Sequence, residues 1–242
     1  MVFFCFSSKD RHSIIEALLY HITNYGIPVW YDRRKMLLGD DRDYMNFIDG
    51  IGKSNYALVV MSPNAVMSTC VREEMLLIEE KHSLGTMHIF PVFYCIKASD
   101  LSSEYKWLTK LVYKEIEPSI DVRGTCNHII CKYLSDKLTE ATFHSFEEIE
   151  SHTIVREKHP FIVKLSTDYH RIDNSNLNTK IALLYAGSQY VISSVDEARI
   201  PSFCRTGIER LFSETSLNLP IDLREVLIFE RLFFLLVNGL IS

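Results

Sequence analysis

An acidic residue inside an apolar stripe is the sharpest chemical signal in the chain. From about residue 68 to 82 the apolar residues recur at helical spacing. On that wheel Glu74 falls in the middle of a stripe made by Met67, Cys70, Val71, Leu77 and Ile78. Arg72, Glu79 and Glu80 fall on the opposite side, and Glu73 lies at the stripe's edge. A lone carboxylate facing a core is expensive, and burial raises its pKa. The position is tolerable where that stretch of helix lines a cleft, or where Arg or Tyr partners satisfy a closed buried acid. Perturbed acids concentrate at functional sites, but structural pairs perturb them too, so the pattern alone leaves both readings open.

Other constellations are weaker. Gly50-Ile51-Gly52-Lys53-Ser54 imitates the end of a phosphate-binding loop. The first glycine of that motif would fall at Phe47, and the segment follows a helix and precedes a strand, the reverse of the required order. Cys126-x-His128-x-x-Cys131 lies on an expected helix with no second pair of ligands nearby, which favours a core helix over a metal site. The run Arg33-Arg34-Lys35 reads as a solvated loop or as an anion contact. No G-x-S-x-G, H-E-x-x-H or G-x-G-x-x-G occurs.

The elements that must position Glu74 alternate between two periods. Val2 to Phe6, Ile27 to Asp32, Tyr56 to Met61 and His88 to Ile96 read as strands. Helices separate them: one with Ile14, Ile15, Leu18, Leu19 and Ile22, one with Tyr44, Phe47, Ile48 and Ile51, and the Glu74 helix. Strands apolar at nearly every position are buried on both faces, which fits a parallel sheet covered by helices. A fifth strand is expected over Leu111 to Ile116 and a closing helix over Cys126 to Leu138. The fold class is therefore α/β, a flavodoxin-like parallel five-stranded sheet flanked by helices, with a smaller, mostly helical C-terminal region. In such sheets ligands bind at the carboxyl ends of the strands. Those ends are Phe6-Ser7-Ser8, Tyr31-Asp32-Arg33 and Met61-Ser62-Pro63. Residues 140–175 look irregular apart from a strand-like run, Phe161 to Leu165, and helices are expected over about 177–190, 203–213 and 222–238. The apolar stretch Leu227 to Leu240 reads as a buried helix.

Composition agrees with a globular chain. It has 242 residues, 47% hydrophobic and 24% charged, so disorder and collagen-like repeats are excluded. A net charge of −5 argues against nucleic-acid binding driven by overall charge. Six cysteines without C-x-x-C spacing fit free thiols in a reducing, cytoplasmic setting. The apolar N-terminus lacks a basic region and is too short for a signal peptide. No apolar run has the length of a membrane span, so membrane partners are not expected.

Five motifs in order resemble a TIR domain over residues 1–139, with 140–242 as a C-terminal extension. Phe4-Cys5-Phe6-Ser7-Ser8-Lys9-Asp10 resembles the opening strand and loop, often F-I-S-H-S-x-x-D. Gly26-Ile27-Pro28-Val29-Trp30-Tyr31-Asp32 resembles the second strand, and Leu38-Gly39-Asp40 the L-G-D of the following loop. Ser54-x-Tyr56-Ala57-Leu58-Val59-Val60-Met61-Ser62-Pro63-Asn64 resembles the third strand and its exit. Ser68-Thr69-Cys70-Val71-Arg72-Glu73-Glu74-Met75 aligns with S-x-W-C-x-x-E-L, with Cys70 where the family has Trp.

The resemblance implies NAD+ cleavage or self-associating adaptor function. It is similar to the TIR NADases of Thoeris-type bacterial antiphage defence, which make ADP-ribose-derived, sometimes cyclic, signals. It implies Glu74 as the catalytic residue, at the position the helical wheel singles out. Substrate contacts would come from Phe6, Ser7, Ser8, Asp32, Arg34, Leu38, Gly39, Asp40, Ser68 and Cys70. NAD+ would be the substrate, with no other cofactor and no metal. Expected partners are further copies through TIR–TIR contacts and a downstream effector that reads the nucleotide. The alternative is a non-catalytic TIR scaffold, which the missing Trp favours.

Overall fold

The computed structural model describes residues 1–118, 122–216 and 221–241. Two compact units are present: residues 1–23 with 27–126, and residues 24–26 with 127–242. The first unit is built on five parallel strands in the order β2-β1-β3-β4-β5. These are β1 (Val2–Cys5), β2 (Val29–Trp30), β3 (Tyr56–Met61), β4 (His88–Tyr94) and β5 (Lys114–Ile116). Val2 aligns with both Val29 and Tyr56, Tyr56 with His88, and Val92 with Lys114. The central β1 and β3 are buried at every position, as their unbroken apolar sequences require. The edge strand β2 is shorter than the expected Ile27 to Asp32, because Pro28 has no N–H to donate and offers only its carbonyl, to the Val2 amide at 2.8 Å.

One face of the sheet packs a core of Phe3, Cys5, Ala57, Val59, Met61 and Phe93 against Ile51, Val71, Met75 and Ile78. The last four come from two elements that matter below: a π-helix (Tyr44–Gly52) and α4 (Thr69–Ser83). Ser68 caps α4 by accepting the Val71 amide at 3.3 Å, so this helix begins after Met67. Met67 instead ends the short α3 (Pro63–Val66) and is 83% exposed, which removes it from the stripe it was expected to join. The other face is covered on the side of the first helical run: a 3-10 turn (Ser8–Asp10), a π turn (Arg11–Ile15) and α1 (Glu16–Thr23), which bury Ile14, Ile15, Leu18 and Ile22.

The second unit is helical. α5 (Val122–Leu138) leads into it from the first. It is followed by α6 (Phe146–Ser151), α7 (Thr153–Lys158), α8 (Pro160–Arg171), α9 (Leu177–Ser194), α10 (Ser202–Ser216) and α11 (Leu223–Val237). The run expected as a strand, Phe161 to Leu165, lies inside α8. Its buried residues Ile162, Leu165, Ser166 and Tyr169 keep helical spacing, and Pro160 occupies the first turn, where its missing N–H does no harm. Reading 140–175 as irregular therefore misses α6, α7 and α8. Capping boxes start α6 (Ser145 with Glu148) and α11 (Asp222 with Glu225). α11 is buried nearly all round, as its sequence requires, with Phe229, Leu232, Phe233 and Leu236 essentially out of solvent. Among the described residues no helix is long and apolar enough to cross a membrane.

The π-helix approaches the sheet at Gly50. A Cβ there would sit 2.8 Å from Phe3 Cε2 and 3.0 Å from Trp30 Cε2, both in fully buried rings that stack on each other. Gly50→Ala should therefore lower stability by about 1–3 kcal/mol through overpacking. Chemical denaturation with an unchanged m-value checks this; an unaltered midpoint would show that the aromatic pair yields freely.

Candidate functional site

Glu74 lies on the second turn of α4 and is 5% exposed. It is not sealed in the core. It lines a cavity of about 260 Å³ at the carboxyl ends of β1 and β2. Phe4, Phe6 and Ser8 contribute from β1 and its exit, Arg11 from the following turn, and Trp30, Asp32 and Met36 from β2 and its exit. Arg42 and Asn46 line it from the π-helix side, and Ser68 and Cys70 from the start of α4.

Two donors converge on one oxygen of Glu74. Asn46 Nδ2 lies 3.1 Å from Oε1, and Cys70 Sγ, one helical turn before Glu74, lies 3.4 Å from the same atom. No basic side chain hydrogen-bonds to the carboxylate among the described ion pairs. Burial therefore dominates and pushes the Glu74 pKa up to about 7; the thiols of Cys5 and Cys70 and the charge of Arg42 oppose that rise, while Asp32 adds to it. The two thiols respond in turn. Burial, then the Glu74 charge, raises Cys5 well above its ordinary value and Cys70 to about 11, so both stay protonated donors near neutral pH.

The opposite wall is a closed charge pair. Arg11 Nη1 and Nη2 donate to Asp32 Oδ1 and Oδ2 at 2.8 and 2.6 Å, and Nη1 donates to the Tyr31 hydroxyl at 2.7 Å. The guanidinium lies against the Phe6 and Tyr31 rings, 5.0 and 5.2 Å from their centroids. This fork fixes both side chains in geometry and raises the Arg11 pKa through Asp32. The first loop is pinned as well. Asp10 is buried and accepts from Ser62 Oγ at 2.5 Å and Asn64 Nδ2 at 2.6 Å, joining the exits of β1 and β3.

Of the residues singled out from the sequence, Phe6, Ser8, Asp32, Ser68, Cys70 and Glu74 line the cavity together. Ser7 does not: it is buried and caps the 3-10 turn, accepting from the Lys9 amide at 3.4 Å. Arg34 sits on α2 (Asp32–Lys35) facing solvent, beside Arg33, which pairs with Glu16 at 3.6 Å. Leu38, Gly39 and Asp40 form a turn outside the cavity. Asp40 N donates to the Leu37 carbonyl at 3.1 Å, Asp40 Oδ2 accepts from Leu37 N at 2.7 Å, and Gly39 takes φ +100°. Leu38 is fully exposed there. Met61-Ser62-Pro63, expected at the ligand-binding rim, instead serves the Asp10 clasp. Phe4, Arg11, Trp30, Met36, Arg42 and Asn46 were missed. Only Asn46 carried a signal: it shares the buried face of its helix with Gly50, four residues on, where a lone amide needs a partner. Among the described residues no group of three His, Cys, Asp or Glu side chains is placed to hold a metal ion.

A family model described as TIR domain matches residues 2–121. The chain belongs to the TIR domain family. Its TIR domain is 27% identical over 120 residues to the NAD(+) hydrolase TcpA of Theionarchaea archaeon (strain DG-70-1), a match covering 50% of this chain and 36% of that protein. It is 26% identical over 100 residues to the 2' cyclic ADP-D-ribose synthase BtTIR of Bacteroides thetaiotaomicron, covering 41% and 34%. It is 25% identical over 122 residues to the NAD(+) hydrolase PdTIR of Paracoccus denitrificans (strain Pd 1222), covering 50% and 40%. The chain thus spans about two-fifths or less of the length of these relatives. Among solved structures, the TIR domain of the Toll-related receptor TRR-2 from Hydra magnipapillata aligns with 57% of this chain and 98% of its own, at 19% identity and a TM-score of 0.41.

The buried acid makes a prediction about stability. Burial pushes the Glu74 pKa up to about 7 in the folded TIR domain from its ordinary 4.5, so between these values the native state binds more protons than the unfolded one. Stability is then greatest below the lower value and falls as pH rises through the upper. Glu74→Gln removes that loss. Its stability should match wild type near about pH 4 and exceed it above about pH 8 by up to roughly 3 kcal/mol. Urea titrations at the two pH values check this, and an equal difference at both would refute the assignment of a strained acid.

Proposed function

We propose that this TIR domain cleaves NAD+ at the bond between nicotinamide and ribose, with Glu74 as the catalytic residue. The observation that carries the reading is a buried acid, Glu74, that lines a cavity at the carboxyl ends of β1 and β2 and forms no ion pair among the described residues. Relatives named NAD(+) hydrolase and cyclic ADP-D-ribose synthase support it.

The chemistry suits that site. The leaving group is a pyridinium; as the C1'–N bond breaks, its nitrogen keeps the electron pair and departs neutral, so little acid help is required. The difficulty is the oxocarbenium-like ribosyl centre left behind, as in glycoside cleavage. The ionised form of Glu74 stabilises that positive charge. A unit-charge contact at ~4 Å with an effective dielectric of ~20 contributes about 4 kcal/mol, roughly a thousandfold in rate. Phe6, Ser8, Asp32, Ser68 and Cys70 serve as substrate contacts in this reading, and the Arg11–Asp32 pair as a rigid wall. Water or a hydroxyl of the same nucleotide then takes the ribosyl carbon, giving linear or cyclic ADP-ribose.

The cavity falls just short of the ~300–1,000 Å³ usual for ligand sites, so it suits the nicotinamide-riboside end of NAD+ and leaves the remainder outside. Leu37 and Leu38, exposed beside Met36 on its rim, are a natural contact for a second copy. We extend the reading to assembly-gated signalling in the cytoplasm, with a nucleotide product read by a downstream effector in Thoeris-type antiphage defence. A scaffold role rests on the same exposed leucines and needs no turnover.

Incubation of wild-type protein and Glu74→Gln with NAD+, followed by mass spectrometry of products, tests the reading. Wild type should release nicotinamide and an ADP-ribose species, and the variant should be slower by a hundredfold or more. Equal turnover in the variant would reject Glu74, and self-association without turnover in wild type would favour the scaffold.

A further inference from the structure

We infer that Asn46 is a positioning residue for this site: its side-chain amide holds the Glu74 carboxylate in place as a charge donor without cancelling that charge. The inference deepens the reading of Glu74 as the reacting carboxylate and rests on it for its catalytic part.

The geometry is specific. Asn46 is 6% exposed, and the π-winding of its helix carries the amide across to α4, where Nδ2 reaches Glu74 Oε1 at 3.1 Å and stands 4.0 Å from Cys70 Sγ. Neighbouring Ile51 and Gly50 on the same helix are buried against the sheet, so this is a position where an apolar residue would otherwise be expected. A buried amide with no partner is destabilising, and an amide turned the other way would set its carbonyl oxygen against a carboxylate. The orientation with nitrogen toward Glu74 is the one both groups tolerate.

The chemical class of the donor matters as much as its place. An arginine or lysine there would pair with Glu74 and neutralise the charge needed at the ribosyl centre. A neutral amide favours the ionised form and fixes its rotamer, yet leaves the net charge in place. The other groups facing Glu74 differ from it. Cys5 on β1 and Cys70 on α4 are thiols, weaker donors that stay protonated near neutral pH, Asp32 after β2 is tied to Arg11, and Arg42 ahead of the π-helix carries charge. The Asn46 and Cys70 donors both fall on Oε1, which orients the carboxylate.

The test uses two variants of the full chain. Asn46→Leu removes the donor at similar volume, and Asn46→Asp keeps the shape but places a second carboxylate against the first. Folding is checked by thermal unfolding. Titration of the Glu74 side-chain carboxyl by NMR with ¹³C-labelled glutamate is the primary readout. Its midpoint should rise by about one pH unit in Asn46→Leu and by more in Asn46→Asp. The acid limb of kcat for nicotinamide release should move up by the same amount, while KM for NAD+ changes less than about threefold. A purely structural role would lower the melting temperature and activity at all pH values without moving either midpoint, and that result in a folded variant overturns the inference. If Asn46→Leu does not fold, Asn46→Asp decides it. If wild type releases no nicotinamide, the enzymatic reading fails, and the NMR titration still shows whether Asn46 governs the charge of Glu74.

Discussion

A carboxylate held out of water at the rim of a parallel sheet has to be answered, and the first unit answers it without a cation. Glu74 meets an amide and a thiol on one oxygen and open cavity nearby, with positive charge kept to Arg42 at a distance. That choice explains why the acid is both buried and poised close to neutrality. A bound arginine would have given a conventional buried pair with a low pKa and a chemically inert site. The elements around it follow from this: Ser68 sets where α4 begins, the π-helix brings Asn46 within reach, and the buried strands hold both against one core.

The cation and anion on the facing wall are treated in the opposite way. Arg11 and Asp32 satisfy each other through two short parallel hydrogen bonds, and Tyr31 and Phe6 flank the guanidinium. The pair adds polarity and shape while contributing almost no net charge. Among the described lining residues the one acid outside that pair is Glu74, with the charge of Arg42 on the same cavity.

Glu74 was legible in the sequence because helical periodicity is local: the placement of Val71 and Ile78 on one face needs no knowledge of the rest of the fold. Four of the strands were legible for the same reason, since each falls in a short apolar run; β5 is only Lys114–Ile116, half of the expected Leu111 to Ile116 and mostly charged. What failed depended on winding or on loop path. The stripe was extended to Met67 because the capping by Ser68 was not weighed. Leu38, Gly39 and Asp40 do not line the cavity, because the Asp40 carboxylate closes its own turn on the Leu37 amide. The basic run Arg33-Arg34-Lys35, open between a solvated loop and an anion contact, lies in solvent on α2, while Arg11 and Arg42, unremarkable in sequence, line the cavity. Phe161 to Leu165 misled because a five-residue apolar window does not separate strand from helix; the spacing out to Tyr169 does.

The Asp10 clasp has a mechanical consequence. By tying Ser62 and Asn64 to the turn after β1, it welds two neighbouring strand exits into a single immobile lip. The Arg11–Asp32 fork fastens β2's exit to that same lip. The segment from Met36 to Arg42, on the remaining side, is shaped instead by one tight turn around Gly39. The rim of the cavity is therefore uneven: three strand exits are cross-tied by side chains, while the fourth stretch closes on itself.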